Sequence, residues 1–310
     1  MTIFTYLLLL FSMAAACSPL GATDAEKSDR EVDFKAFGKY WYQGKAELNS
    51  YDLEQYRYGE KRQGEAVLIF VTEDFSRAKQ VKLDRPQENE QDAQKVLKLN
   101  MTKKFITGIY PYSMMLSAFT PVYDKIPAAK VTASVQEWCG QTYTQMNRQA
   151  NSYEVELRSY FEQEGDQQLT LNGRSEDGIW NLIRLNPKEV PTGRLKLIPS
   201  LLDQRLSHIP LEAQDATITI QPAQTAVAGF EAAKLNVCTV TYDTYPRVLR
   251  IYYSSTFPYE IAGWEEVRKL ENGEEEVSRA KRKAVMLQDY WTKNRNEFQP
   301  LRKDLKLSNP

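Results

Sequence analysis

The sequence predicts a mainly β protein: one long, curved antiparallel sheet with a short helix near its start and another near its end. Three observations carry this. Apolar residues alternate with polar ones at period two in segment after segment. Turn-forming pairs punctuate those segments. A helical period of three to four is found only at the two ends.

Phe34, Phe37, Tyr40 and Trp41 fall at near-helical spacing and predict the first helix. Ala66–Val71 is a continuous apolar run, the pattern of a strand covered on both faces. Leu97, Leu99 and Met101 alternate with Lys98, Asn100 and Thr102, and Val131, Ala133 and Val135 with Thr132, Ser134 and Gln136. Tyr153–Phe161, Ala216–Gln221 and Leu249–Ser254 repeat the alternation, which gives each strand one buried and one wetter face. Turns are expected at Arg62-Gln63-Gly64, Glu164-Gly165-Asp166, Asn172-Gly173, Tyr245-Pro246 and Asn272-Gly273. Lys188–Pro210 carries three prolines and Gly193 and reads as a long connection. Ser278–Lys283 is basic, follows Glu274-Glu275-Glu276, and reads as a solvated charged segment. Leu287, Trp291, Phe298, Leu301 and Leu305 predict a C-terminal helix near 285–299, with Pro300 breaking it.

The chain has 310 residues, with 40 basic against 41 acidic side chains. That length supports a self-sufficient core in a single β-rich domain over 31–310. The balanced charge gives no sign of a nucleic-acid partner. His208 is the only histidine, which removes most imidazole metal sites and most Ser-His or Cys-His catalysis. No Gly-rich phosphate loop, His-Glu-x-x-His or Cys-x-x-Cys is present, so no cofactor or metal is expected.

Tyr6–Phe11 is apolar, too short to span a bilayer as a helix, and is followed by Ala14-Ala15-Ala16-Cys17. That stretch resembles the lipobox of bacterial lipoproteins. The resemblance implies a signal peptide over 1–16 and a lipidated Cys17; the polar, small residues that follow, with Pro and Gly and no apolar period, read as a flexible tether completing 17–30. Ser18 after the cysteine, by the same resemblance, favours the outer membrane. The thirteen residues Ser18–Arg30 reach about 43 Å when extended.

Cys139 and Cys238 remain as a candidate disulfide or as two buried free thiols. The strand phase of Val131, Ala133 and Val135 points Cys139 at the core. Glu137-Trp138-Cys139-Gly140-Gln141 is the most enzyme-like phrase, but nothing in the sequence places His208 beside it. Glu176-Asp177 and Glu265-Glu266 are carboxylate pairs of no special spacing.

Gly229–Val237 and Arg247–Ile261 read as a hairpin around Tyr245-Pro246, preceded by Gly178–Arg184 and followed by Gly263-Trp264-Glu265-Glu266. This ordering resembles exported bacterial proteins of the DUF3108 type and is similar, more loosely, to Lol-type lipoprotein carriers. The resemblance implies a half-barrel with helices over its mouth and an apolar cavity that takes acyl chains. Trp138, Trp180, Tyr252, Tyr253, Phe257 and Trp264 are the candidate pocket aromatics, or else simply fill the core. The sequence also resembles chains identified as Maf-type septum-formation inhibitors. It offers only Tyr245-Pro246-Arg247 in place of their Ser-x-Ser-Pro-Arg-Arg stretch, so that activity does not transfer.

The function expected is a membrane-anchored envelope lipoprotein that binds or carries a lipid or other apolar ligand without catalysis. A structural or assembly lipoprotein is the alternative, and a cell-envelope hydrolase a more distant one. Replacing Cys17 with serine should release the protein from membranes, as read by cell fractionation; retention in the membrane pellet would overturn the lipid anchor.

Overall fold

The computed structural model describes residues 28–308. Cys17 and the signal segment 1–16 lie outside the described residues. Fifteen strands form one sheet. The first eight are β1 (Ala46–Arg57), β2 (Glu60–Ser76), β3 (Ala93–Thr107), β4 (Tyr110–Pro121), β5 (Lys130–Glu137), β6 (Gly140–Gln149), β7 (Ser152–Ser159) and β8 (Gln167–Asn172). The rest are β9 (Arg174–Ser175), β10 (Gly193–Ile198), β11 (Gln214–Pro222), β12 (Leu235–Tyr242), β13 (Arg247–Ser254), β14 (Ile261–Lys269) and β15 (Glu275–Gln288). Sequential strands are neighbours in each half of this meander. The two halves are zipped together where β1 pairs with β15, and β8 and β9 form the two edges. All pairings are antiparallel except β9 with β10.

The two edges are consecutive in the chain, separated only by Gly173. The sheet therefore curls until its ends almost meet, a nearly closed barrel rather than the half-barrel expected. Gly173 sits at the seam with φ +146°, where a side chain would lie 3.2 Å from the Lys196 carbonyl oxygen and 3.3 Å from Ala213. Glycine suits that positive φ and lets the chain approach β10 without displacing it.

A wide barrel leaves a lumen that must be filled. Here it is filled from within. Helix α1 (Phe34–Trp41), capped by the Asp33 carboxylate, buries Phe37 and Trp41. Helix α2 (Ile179–Leu185) is buried on every face, and α3 (Leu201–Ser207) follows it. From α2, Asn181 donates to the carbonyls of Leu97 at 2.9 Å and Ala118 at 3.0 Å. Trp180 meets Trp264 of β14 edge to face, with ring centroids 5.3 Å apart. Arg184 is fully buried and pairs with the fully buried Glu47 of β1 at 2.5 and 2.7 Å. Tyr40 of α1 donates to the same carboxylate, and the Arg184 guanidinium lies 4.6 Å from the Phe70 ring centroid.

Several local expectations change. The last described residues of the expected tether are docked: Ser28 donates to the Tyr123 carbonyl at 2.8 Å, and Arg30 is buried and pairs with Glu189. Gly64 lies inside β2, not in a turn, because a side chain there would meet the Lys104 carbonyl oxygen at 2.3 Å; the turn falls at Tyr58-Gly59. The connection 188–210 contains β10 and α3. The basic segment Ser278–Lys283 is part of β15, with Ser278 and Ala280 buried. The helix expected at 285–299 does not form. Strand β15 runs to Gln288, two isolated 3-10 turns follow (Tyr290–Thr292 and Asn296–Phe298), and a single helical turn, α4, spans Leu301–Asp304. The apolar spacing there serves a strap lying on the sheet.

Glu47 and Arg184 predict a stability test. Arg184→Met leaves an uncompensated carboxylate in the lumen and should cost about 3–5 kcal/mol by urea unfolding, whereas Glu47→Leu with Arg184→Met should recover most of that loss. A single variant as stable as the parent would show that the pair does not hold α2 in place.

Candidate functional site

The candidate aromatics do not converge on one cavity. Trp180, Tyr253 and Trp264 are buried core residues. Phe257 packs edge to face on Tyr40, beside α1. Tyr252 faces outward and, with an edge of Trp264, lines a polar surface cleft of 440 Å3 together with Glu54, Lys61 and Arg279. Trp138 is 70% exposed at the β5–β6 turn and stacks on Tyr110. The lumen is therefore core, and the cavity that the resemblance implied there is taken up by α1, α2 and their aromatic neighbours.

Cys139 and Cys238 are both free. Cys238 is buried in β12, where burial pushes its thiol up to about 12. Cys139 is exposed, against the expectation of a core-facing side chain. Strand β5 ends at Glu137, which pairs with Gly140, so Trp138-Cys139 is the tip of a two-residue hairpin and the alternation stops short of it. His208 lies closer in space than the sequence suggested. Arg205 contacts the His208 ring at 3.0 Å and the Glu137 carboxylate at 3.3 Å, and Glu137 accepts the Cys139 backbone N–H at 2.6 Å. Arg205 and Glu137 thus link the imidazole to the hairpin tip that carries the thiol. Hydrogen bonding to Glu137, then desolvation, raises the Cys139 thiol above its ordinary range. A thiol nucleophile needs the reverse.

A second ionic cluster lies in the lumen at the end near α3. Arg247 donates to Glu176 at 2.7 Å and lies 3.3 Å from Asp203 and 3.8 Å from Glu266. Lys103 pairs with Glu266 at 2.5 Å, and Arg268 with Asp203 at 3.0 Å. Tyr242 donates to Glu176 at 2.6 Å, and Tyr245 to Asp203. Burial alone would raise the Glu266 carboxyl; Lys103 and Arg247 override it and hold it below the usual carboxylate range. Three cations thus answer three carboxylates. The cluster opens to a polar cleft of 200 Å3 bordered by Tyr58, Ser207 and Arg268. Asp177, the neighbour of Glu176, makes no ion pair among the described residues and feels Arg247 only weakly. Complete burial, then the Glu176 charge, pushes its carboxyl up to about 7, although it accepts the Leu201 N–H at 3.0 Å.

The outer face of the barrel holds an apolar cleft. Outward side chains of three adjacent strands meet there: Leu48 of β1 sits opposite both Ile69 of β2 and Met286 of β15. The C-terminal strap, residues 289–308, returns over this stripe. Leu305 is buried against Ala46, Leu48 and Val71, Ser50 donates to the Leu305 carbonyl, and the Ser308 N–H donates to Glu65 at 3.0 Å. Between floor and strap lies a cleft of 360 Å3. Leu48, Val67, Ile69 and Met286 form its floor, Tyr290, Phe298, Leu301, Leu305 and Leu307 its roof, and Glu65, Lys104, Lys293 and Arg302 part of its rim. Its size falls within the range of small-molecule sites. Reading 285–299 as a helix hid these residues. The signal that could have found the cleft was the continuous run Ala66–Val71, which demands a cover on the outside of the sheet as well as a core inside.

No family model matches the sequence, and no curated protein matches it. One similar solved structure is the crystal structure of a beta-barrel-like protein of the domain of unknown function DUF1849 from Brucella abortus. It is 10% identical, covers 78% of this chain and 98% of that chain, and has a TM-score of 0.39.

Asp177 makes stability fall as pH rises. Between about pH 4 and pH 7 the unfolded chain releases this proton while the folded chain retains it, so the folded state binds more protons and loses ground with each step upward. The penalty is fully present above pH 7 and is at most about 4 kcal/mol. Asp177→Asn keeps an acceptor for the Leu201 N–H. Its urea midpoint should exceed that of the parent at pH 8 and converge on it near pH 4. A constant difference across that range would refute a proton held by Asp177.

Proposed function

We propose that this protein is a non-catalytic binding module that shelters an apolar chain in its outer cleft, held to the cell envelope through lipid on Cys17. The observation that carries the reading is the apolar cleft between β1, β2, β15 and the C-terminal strap. Two further features support it. The lumen is filled, so the outer cleft is the largely apolar recess lined by both sheet and strap. The strap is joined to the sheet through a few bonds and one apolar contact cluster, an arrangement that can lift without opening the barrel. The raised Cys139 thiol and the mutually neutralised lumen carboxylates argue for binding rather than hydrolysis.

A second reading, assembly through surface contacts, rests on the hairpin tips at one end of the barrel. Tyr58, Ile109, Trp138 and Tyr160 are exposed there on successive hairpin connections. Contiguous exposed apolar side chains are the usual mark of a contact surface. A photocrosslinker at position 138 that captures one envelope partner would favour this reading.

Val67→Trp should fill the cleft. An environment-sensitive fluorescent acyl probe is then expected to bind the parent chain and to lose at least about tenfold in affinity for the variant, with an unchanged circular dichroism spectrum. Equal binding to both would remove the outer cleft as the ligand site.

A further inference from the structure

We infer that the occupant of the outer cleft is a single-chain anionic amphiphile, a fatty-acid carboxylate, with its tail on the apolar floor and its head at Lys104 and Arg302. This inference rests on the binding role proposed for the cleft and adds the chemistry of the ligand's polar end. Charge on the rim carries it. Three cations and one carboxylate border the opening. The carboxylate, Glu65, is already engaged: Lys283 donates to it at 2.7 Å and the Ser308 N–H at 3.0 Å. Burial would raise Glu65, but those bonds hold it below the usual carboxylate range, so its charge is answered from outside the cleft.

The cations are not answered in the same way. The Lys104 side chain makes no ion pair or hydrogen bond among the described residues. Among the described residues Arg302 pairs with no carboxylate; one terminal nitrogen donates to the Ser308 carbonyl at 2.7 Å, and its Nε is buried without a partner. Its other terminal nitrogen makes no bond among the described residues, and an acid group at the rim would supply an acceptor there. Lys293 alone is paired, with Asp289 four residues before it at 3.3 Å. The strap that roofs the cleft carries the same sign, with five basic against three acidic residues over 289–308. At 360 Å3 the cleft lies at the small end of ligand sites, which suits one chain rather than the two of a phospholipid.

The head group is tested with three ligands that share a tail: dodecanoate, dodecanol and dodecylammonium, each displacing a fluorescent acyl probe from the full chain. Dodecanoate should bind about tenfold or more tighter than dodecanol, and dodecylammonium weakest. Lys104→Glu, at an exposed position, should reverse the order of the two ions and leave dodecanol within about twofold of the parent. Val67→Trp should weaken all three. Equal affinity for acid and alcohol would overturn the anionic head while leaving the apolar cleft intact. No binding of any of the three would overturn both. Unchanged dodecanoate binding in Val67→Trp, or tighter binding of a two-chain phosphatidylglycerol than of dodecanoate, would overturn the assignment of this ligand to this cleft.

Discussion

The pair Glu47–Arg184 ties the inside of the barrel to its wall. Its carboxylate belongs to β1, the strand that zips the two halves of the meander together. Its guanidinium belongs to α2, the helix that crosses the lumen. Tyr40 brings α1 to the same point, and the Pro258 carbonyl accepts from Arg184 at 2.9 Å. Burial works to raise the Glu47 carboxyl, and Arg184 overrides it. Two charges taken out of water tolerate little misplacement, because any displacement leaves one of them unpaired. The pair thus specifies where α2 sits more than it adds net stability.

Placing α2 and its companions inside has a consequence for the outside. A fifteen-stranded sheet that closes on itself encloses space that either admits water and ligand or is packed. Here Trp41, Trp180, Trp264 and two ionic clusters pack it. One apolar surface left over is the outward stripe of β1, β2 and β15, and the C-terminal strap covers it incompletely. The ligand site proposed for this chain is therefore the gap between a rigid wall and a lightly held cover. At the hairpin end, Arg205, His208 and the second ionic cluster are saturated with internal bonds, while Tyr58, Ile109, Trp138 and Tyr160 stand exposed on the tips.

The individual strands were legible because period two reports directly on which face is buried. Leu97–Thr102, Val131–Gln136 and Leu249–Ser254 are strands as expected, and Phe34–Trp41 is the expected helix with Phe37 and Trp41 inward. Legibility failed where one residue pattern serves two structures. Leu287, Trp291, Phe298, Leu301 and Leu305 have helical spacing, but a strap of short turns over an apolar stripe meets the same demand. Cys139 failed for a related reason: alternation says nothing about the residue at which a strand stops, and β5 stops at Glu137.

From the sequence alone came the β class, most strands with their inward faces, and the two-sided burial of Ala66–Val71. These follow from the local rule that apolar side chains leave water, which each segment obeys on its own. The tertiary structure decided the rest: that the sheet closes at Gly173, that α2 occupies the lumen, that Cys139 and Cys238 stay apart, and that the cavity lies outside the barrel. Each of these depends on residues far apart in the chain meeting or failing to meet, as Glu47 meets Arg184 and Ser50 meets Leu305. No local pattern encodes such a meeting, because the closure of the whole sheet sets the distance between its parts.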